Sequence, residues 1–153
     1  MKNFMTGVII FMFVVSFFSM NVHAQGNIVG TWKTVSDEGA DKGKDKSYIE
    51  IFEQSGAYFG KITKLLLKPQ DTICEKCKDD LKGKPVVGIV NVQNMKKSGD
   101  VDDEFGEEYA GGTIMDPESG KTYKCKMWVK GDVLTVRGYV AIAYRTQKWY
   151  RLK

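Results

Sequence analysis

Residues 121–140 read KTYKCKMWVKGDVLTVRGYV, and their pattern decides the fold class. Tyr123, Cys125, Met127 and Val129 fall on one side of an alternating run, while Thr122, Lys124, Lys126, Trp128 and Lys130 fall on the other. Side chains of an extended chain point alternately to opposite faces, so this period of two marks a half-buried strand. Gly131 and Asp132 form a hairpin turn, and residues 133–140 return as a second strand rich in β-formers.

The same grammar extends outward in both directions. Residues 28–35 predict a first strand and residues 36–46 a polar loop. Residues 48–54 and 57–66 form a hairpin about Ser55 and Gly56. Residues 67–85 are the longest break, and residues 86–92 predict a further strand. Residues 96–108 read as a charged loop, with a short strand near 113–115 behind them. Residues 116–120, Asp-Pro-Glu-Ser-Gly, are a turn by composition, since Pro sets one dihedral and Gly supplies a positive one. Residues 144–152 close the chain. About eight short strands with no amphipathic helix between them predict an all-β, antiparallel up-and-down barrel, because closure removes exposed sheet edges. A β-sandwich is the alternative that periodicity alone does not separate.

The first 24 residues have a different character. Lys2 is followed by an apolar run from Val8 to Phe18, broken only by Ser16, and then by Val22-His23-Ala24. This is the layout of a signal peptide cleaved after Ala24. A retained anchor over residues 4–22 is the rival, since a spanning helix needs about 20 apolar residues. The change to Gln25-Gly26-Asn27 favours cleavage, leaving residues 25–153 as one barrel domain, exported to a periplasm or beyond.

Removal of the signal has a chemical consequence. The sequence holds 1 histidine, and it is His23. Histidine-based nucleophile systems, acid–base catalysis and histidine-rich metal sites are then excluded from the mature chain. The formal net charge of +4 comes from interspersed acids and bases, with no basic stripe interleaved by aromatics, so nucleic acid is not an expected partner. No cofactor is expected.

The motifs now resemble a known family. Gly30-Thr31-Trp32 on the first strand is similar to the Gly-x-Trp element that opens lipocalin-type barrels. In those proteins an Arg of the last strand packs across the Trp, a role that falls by position on Arg151, with Arg145 as second choice. More specifically, the chain resembles the uncharacterised bacterial secreted family catalogued as domain of unknown function 2147. The matching motifs run in order through Ile49-Glu50-Ile51, Gly60-Lys61-Ile62, Cys74-Glu75-Lys76-Cys77, Gly83-Lys84-Pro85, Gly111-Gly112-Thr113-Ile114, the 116–123 turn and strand, Val136-Arg137-Gly138-Tyr139 and residues 145–149. The resemblance implies a lipocalin-like barrel and carries no established reaction. The chain departs from it at Ala143-Tyr144, where a further Gly is usual, which leaves the turn between the last two strands open.

Cys74 and Cys77 are expected to form a structural disulfide in an oxidising compartment. The redox-active reading lacks the βαβ context, and zinc lacks a ligand set. Cys125 is expected to be a buried, inert thiol on the apolar face of its strand. The spacing of Asp100, Asp102 and Glu104 imitates a calcium loop, but Phe105 and Gly111 stand where Gly and Glu are required. Glu50 and Arg137 are charges inside apolar strands. They either face solvent, pair with one another, or point inward, where Arg137 would grip an acidic ligand head. Tyr58, Tyr123, Met127 and Tyr139, with Tyr48 and Phe52, are candidates to line a cavity or to fill the core. The expectation is a non-catalytic binding protein for a small apolar or amphiphilic molecule. The alternative is an envelope interaction protein with a filled barrel acting through its loops.

Overall fold

The computed structural model describes residues 26–153; the signal assigned to residues 1–24 and its cleavage site lie outside them. The strands are β1 (Gly30–Val35), β2 (Asp45–Gln54), β3 (Ala57–Leu65), β4 (Val90–Asp102), β5 (Gly106–Asp116), β6 (Lys121–Lys130), β7 (Val133–Val140) and β8 (Ala143–Arg151). Each pairs antiparallel with the next, and β8 returns to β1, so the sheet is a closed barrel rather than a sandwich. The Gly131 turn expected from residues 121–140 sits where the register places Lys130 opposite Val133.

Closure converts the alternation of each strand into an inside and an outside. Ile49 and Ile51 of β2, Met127 and Val129 of β6, and Leu134 and Val136 of β7 are buried inward. Removing an aliphatic side chain of this size from water stabilises the fold by roughly 1.5–3 kcal/mol. The segment before β1 folds under one end of the barrel. Its Ile28 is fully buried and accepts a 2.7 Å hydrogen bond from the Trp32 indole. With Trp32, Tyr109, Met95 and Met127 it packs that end solid, and all are at most 2% exposed.

Residues 96–108 are a correction to the loop expected there, and the strand expected at 86–92 begins only at Val90. β4 and β5 run together as a long ribbon, with Lys97 opposite Tyr109 and Val101 opposite Glu107. Much of its outer part on β4 is solvated, so no apolar alternation marks it, yet the backbone ladder still forms. Two of its acids are paired: Lys97 lies 2.5 Å from buried Glu107, and Lys126 lies 3.1 Å from buried Glu108. Asp102 accepts the N–H groups of Glu104 and Phe105 and so forms the turn at the tip.

The other end of the barrel carries two long connections, residues 36–44 and 66–89, with the 117–120 turn and the Ala141-Ile142 turn beside them. Gly120 is required at the third of these. Its φ is +68°, and a Cβ there would stand 1.8 Å from the Lys76 carbonyl oxygen. This close approach seats the turn against the Cys74–Cys77 loop. Ala141 takes the positive φ (53°) between β7 and β8 without a glycine.

Candidate functional site

Because one end is packed around Trp32 and the other is bounded by loops, the barrel holds a cavity of about 670 Å³ that opens at the loop end. Residues of five strands supply its apolar wall, including Ile49, Ile62, Ile114, Met115, Val136 and Trp149. Its polar lining includes Thr34, Ser47, Asn91, Tyr123 and Gln147 on the strands, with charged residues such as Lys46, Lys68, Glu118 and Arg145 toward the mouth. A cavity of this size, mostly apolar with a few directed polar groups, is of the kind that holds a small organic molecule.

The polar groups are mostly satisfied by one another. The Thr34 and Ser47 hydroxyls are 2.7 Å apart. Trp149 donates its indole N–H to Gln147 Oε1 at 3.1 Å, and Gln147 Nε2 donates to Asp37 at 2.9 Å. Asp37 also pairs with both arms of the Arg145 guanidinium, which reaches Glu38 at 3.0 Å. Burial works against ionisation of Asp37, but Arg145 outweighs it and holds the carboxyl below its usual range. Asn91 differs. It is 5% exposed, its Nδ2 donates to the Met115 carbonyl at 3.4 Å, and its Oδ1 has no partner among the described residues.

A second charged cluster stands at the mouth. Lys46 and Lys68 each lie 2.8 Å from Glu118, joining the start of β2, the long loop and the β5–β6 turn. Burial would raise the Glu118 pKa, but the two ammonium groups more than offset it and bring it down to about 2.

The sequence candidates separate. Tyr123 lines the cavity. Met127 is fully buried in the packed end, and the partly buried Tyr58 packs against the core, edge-on to Tyr109 with centroids 5.0 Å apart. Glu50 and Arg137 do not face the cavity, nor are they paired with each other. Glu50 lies on the outside, 3.5 Å from Lys61. Val136 and Gly138 line the cavity, which turns Arg137 and Tyr139 between and beyond them outward. Arg137 stacks on Phe105, Trp128 and Tyr144 at 4.9, 5.1 and 4.8 Å and donates to Thr146. Tyr139 leans on Tyr144, with centroids 5.8 Å apart. Tyr48 and Phe52 also point outward, beneath Lys64 and Lys61.

Trp32 and Arg151 are register partners at the packed end, with the guanidinium over the indole. Arg145 lies near the opposite end. Cys74 and Cys77 are joined as a disulfide with Cα atoms 5.4 Å apart, and both are buried. Cys77 Sγ lies 3.9 Å from Met115 Sδ, so the bridged loop backs onto the cavity wall. Cys125 is buried on the inner face of β6, and burial pushes its thiol up to about 12.

Sequence reading missed Asn91, Asp37, Gln147 and Trp149. The available signals were an amide between Val90 and Val92, and the alternation Arg145, Gln147, Trp149, Arg151 along β8.

Comparison with known proteins adds two findings. A family model described as an uncharacterized protein conserved in bacteria (DUF2147) matches residues 30–151. A solved structure, protein HP1028 from the human pathogen Helicobacter pylori, described as belonging to the lipocalin family, superposes with a TM-score of 0.68. The alignment covers 83% of this chain and 84% of that one at 19% identity, so the likeness is one of fold. No curated protein matches the chain.

Proposed function

The chain belongs to the bacterial family DUF2147 and is a lipocalin-like barrel; from that premise we propose that it is an exported, non-catalytic protein that binds a small, largely apolar molecule. The observation that carries this reading is the cavity of about 670 Å³, closed below by Trp32 and open above. Ligand sites of this kind span roughly 300–1,000 Å³. A barrel acting only through its surface loops would have no need to leave that volume unfilled, since empty space forfeits packing contacts. The Cys74–Cys77 disulfide and the apolar run from Val8 to Phe18 with its cleavage site at Ala24 support export.

The test uses a neutral apolar fluorophore, N-phenyl-1-naphthylamine, titrated into the folded protein. Micromolar binding is expected for wild type. Gly138→Leu should weaken it at least about tenfold, because the new side chain projects into the cavity; its Cβ meets nothing nearer than 3.5 Å. Arg137→Ala, one residue away on the outer face, should leave binding unchanged. Absence of binding, or equal binding by Gly138→Leu, overturns the reading. Export is tested separately by the amino terminus of the protein recovered from the cell envelope, expected at Gln25.

A further inference from the structure

Strands β6, β7 and β8 gather charges that the sequence disperses. Their register sets four rows across the outer wall: Lys124 with Tyr139 and Tyr144, Lys126 with Arg137 and Thr146, Trp128 with Thr135 and Lys148, and Lys130 with Val133 and Tyr150. Every row holds a cation, the second holds two, and no position holds an acid. The cause is alternation, which puts residues two apart on the same side of a strand. Among the described residues these five cations meet one carboxylate, Glu108, at 3.1 Å from Lys126. Lys130 donates to the backbone carbonyls of Asp103 and Glu104, so the acidic ribbon tip offsets the row farthest from the cavity mouth. The uncompensated charge is that of Lys124, Arg137 and Lys148.

This face ends at the β7–β8 turn, where Val140, Ala141, Ile142, Ala143 and Tyr144 follow one another without a charge. Ile142 is fully exposed, and Val140 and Tyr144 are more than half exposed. Val140, Ala143 and Tyr144 also border the cavity mouth. The acids nearest the turn, Asp37 and Glu38, are held by Arg145. Its register partner is the cavity-lining Gly138, so they lie on the mouth side of β8 and not on its outer face.

Spaced cations on a convex wall, beside a projecting apolar tip, match a surface of arrayed anions over an apolar interior. Anionic headgroups attract basic residues, and apolar and aromatic side chains settle into the boundary between headgroups and acyl chains. A nucleic acid fits less well. Trp128 lies beneath Arg137 and is 5% exposed, so it offers no face to a base, and Ile142 would stay in water. We infer that the outer face of β6–β8, with the β7–β8 turn as its wedge, docks the barrel on a bilayer bearing anionic phospholipid. Docking of this kind brings the cavity mouth to the membrane. The inference goes beyond the proposed function and does not depend on what the cavity holds.

The test is sedimentation of the folded protein with vesicles of phosphatidylglycerol and phosphatidylcholine in equal parts, against vesicles of phosphatidylcholine alone. At low ionic strength wild type should bind the first at least about tenfold more strongly than the second. It should be released at about 0.5 M salt, where charges are screened over a few ångströms. The double variant Lys124→Gln/Lys148→Gln should weaken binding at least about tenfold. Ile142→Ser should weaken it about tenfold through loss of the inserted side chain. Lys61→Gln/Lys64→Gln removes the same charge from β3, four strands away around the barrel, and should bind as wild type does. Lys124, Ile142 and Lys148 are exposed, so their variants are expected to fold; circular dichroism checks them, and the wild-type comparison of vesicles stands without them. Absence of binding to the anionic vesicles, equal binding to both kinds, or binding that either variant of the face leaves unchanged overturns the inference. An equal loss in the β3 variant also overturns it, because net charge alone would then suffice. Displacement by oligothymidylate at equal phosphate concentration assigns the face to a nucleic acid and overturns it likewise. None of these outcomes touches the cavity reading, which the fluorophore tests without vesicles.

Discussion

The guanidinium of Arg151 lies 4.2 Å from the centroid of the Trp32 ring, and the same group donates to the carbonyls of Asn27 and Val29 at 2.6 and 2.9 Å. One side chain therefore ties the last strand, the first strand and the segment beneath the barrel. The β1–β8 seam has only two register pairs, Trp32 with Arg151 and Lys33 with Tyr150, so the side-chain tie supplements a short ladder.

Arg151→Met is expected to lower the unfolding free energy by about 2 kcal/mol, from the lost cation–π contact and two charge-assisted hydrogen bonds. Arg151→Lys should recover less than half, because an ammonium lacks the planar fork that reaches two carbonyls while stacking. Urea denaturation followed by tryptophan fluorescence measures both. Equal stability of all three proteins would show that the ladder alone closes the barrel.

Cys125 is 3% exposed, and burial raises its thiol to about 12. It should therefore resist iodoacetamide at pH 8 in the folded protein, since the thiolate is the reacting form. In urea, where the ordinary thiol pKa returns, one carbamidomethyl group should be added rapidly. Intact-mass spectrometry reads the outcome, and modification at equal rates in both states would contradict burial of this side chain.

Glu118 predicts an acid dependence with a definite sign. Its folded pKa of about 2 lies below the ordinary glutamate value of 4.5. Its ion pairs with Lys46 and Lys68 thus contribute stability above about pH 4.5 that is lost as the pH falls toward 2. Partial exposure keeps the contribution modest. Comparison of thermal midpoints for wild type and Glu118→Gln should show the gap between them narrowing over that window. A gap that stays constant or widens on acidification would contradict the assignment.

The hairpin at residues 121–140, the order of the strands and the all-β antiparallel class were legible because alternation and turn chemistry are local. So were the disulfide and the pairing of Trp32 with Arg151, each carried by a motif. The ribbon of β4 and β5 was not legible. Its outer residues are solvated, and a backbone ladder that buries little leaves no periodic apolar trace. Alternation also says only which residues share a face. Arg137 stands between Val136 and Gly138, and which of them points inward is set by the closure of the whole sheet. The cavity and its unpartnered Asn91 belong to the tertiary structure for the same reason: empty volume and an unmet hydrogen bond are properties of side chains brought together from several strands. The sequence by itself determined that the chain alternates and turns; only the tertiary structure decided that the sheet closes on itself and what lies inside it, because both depend on strands far apart in the chain.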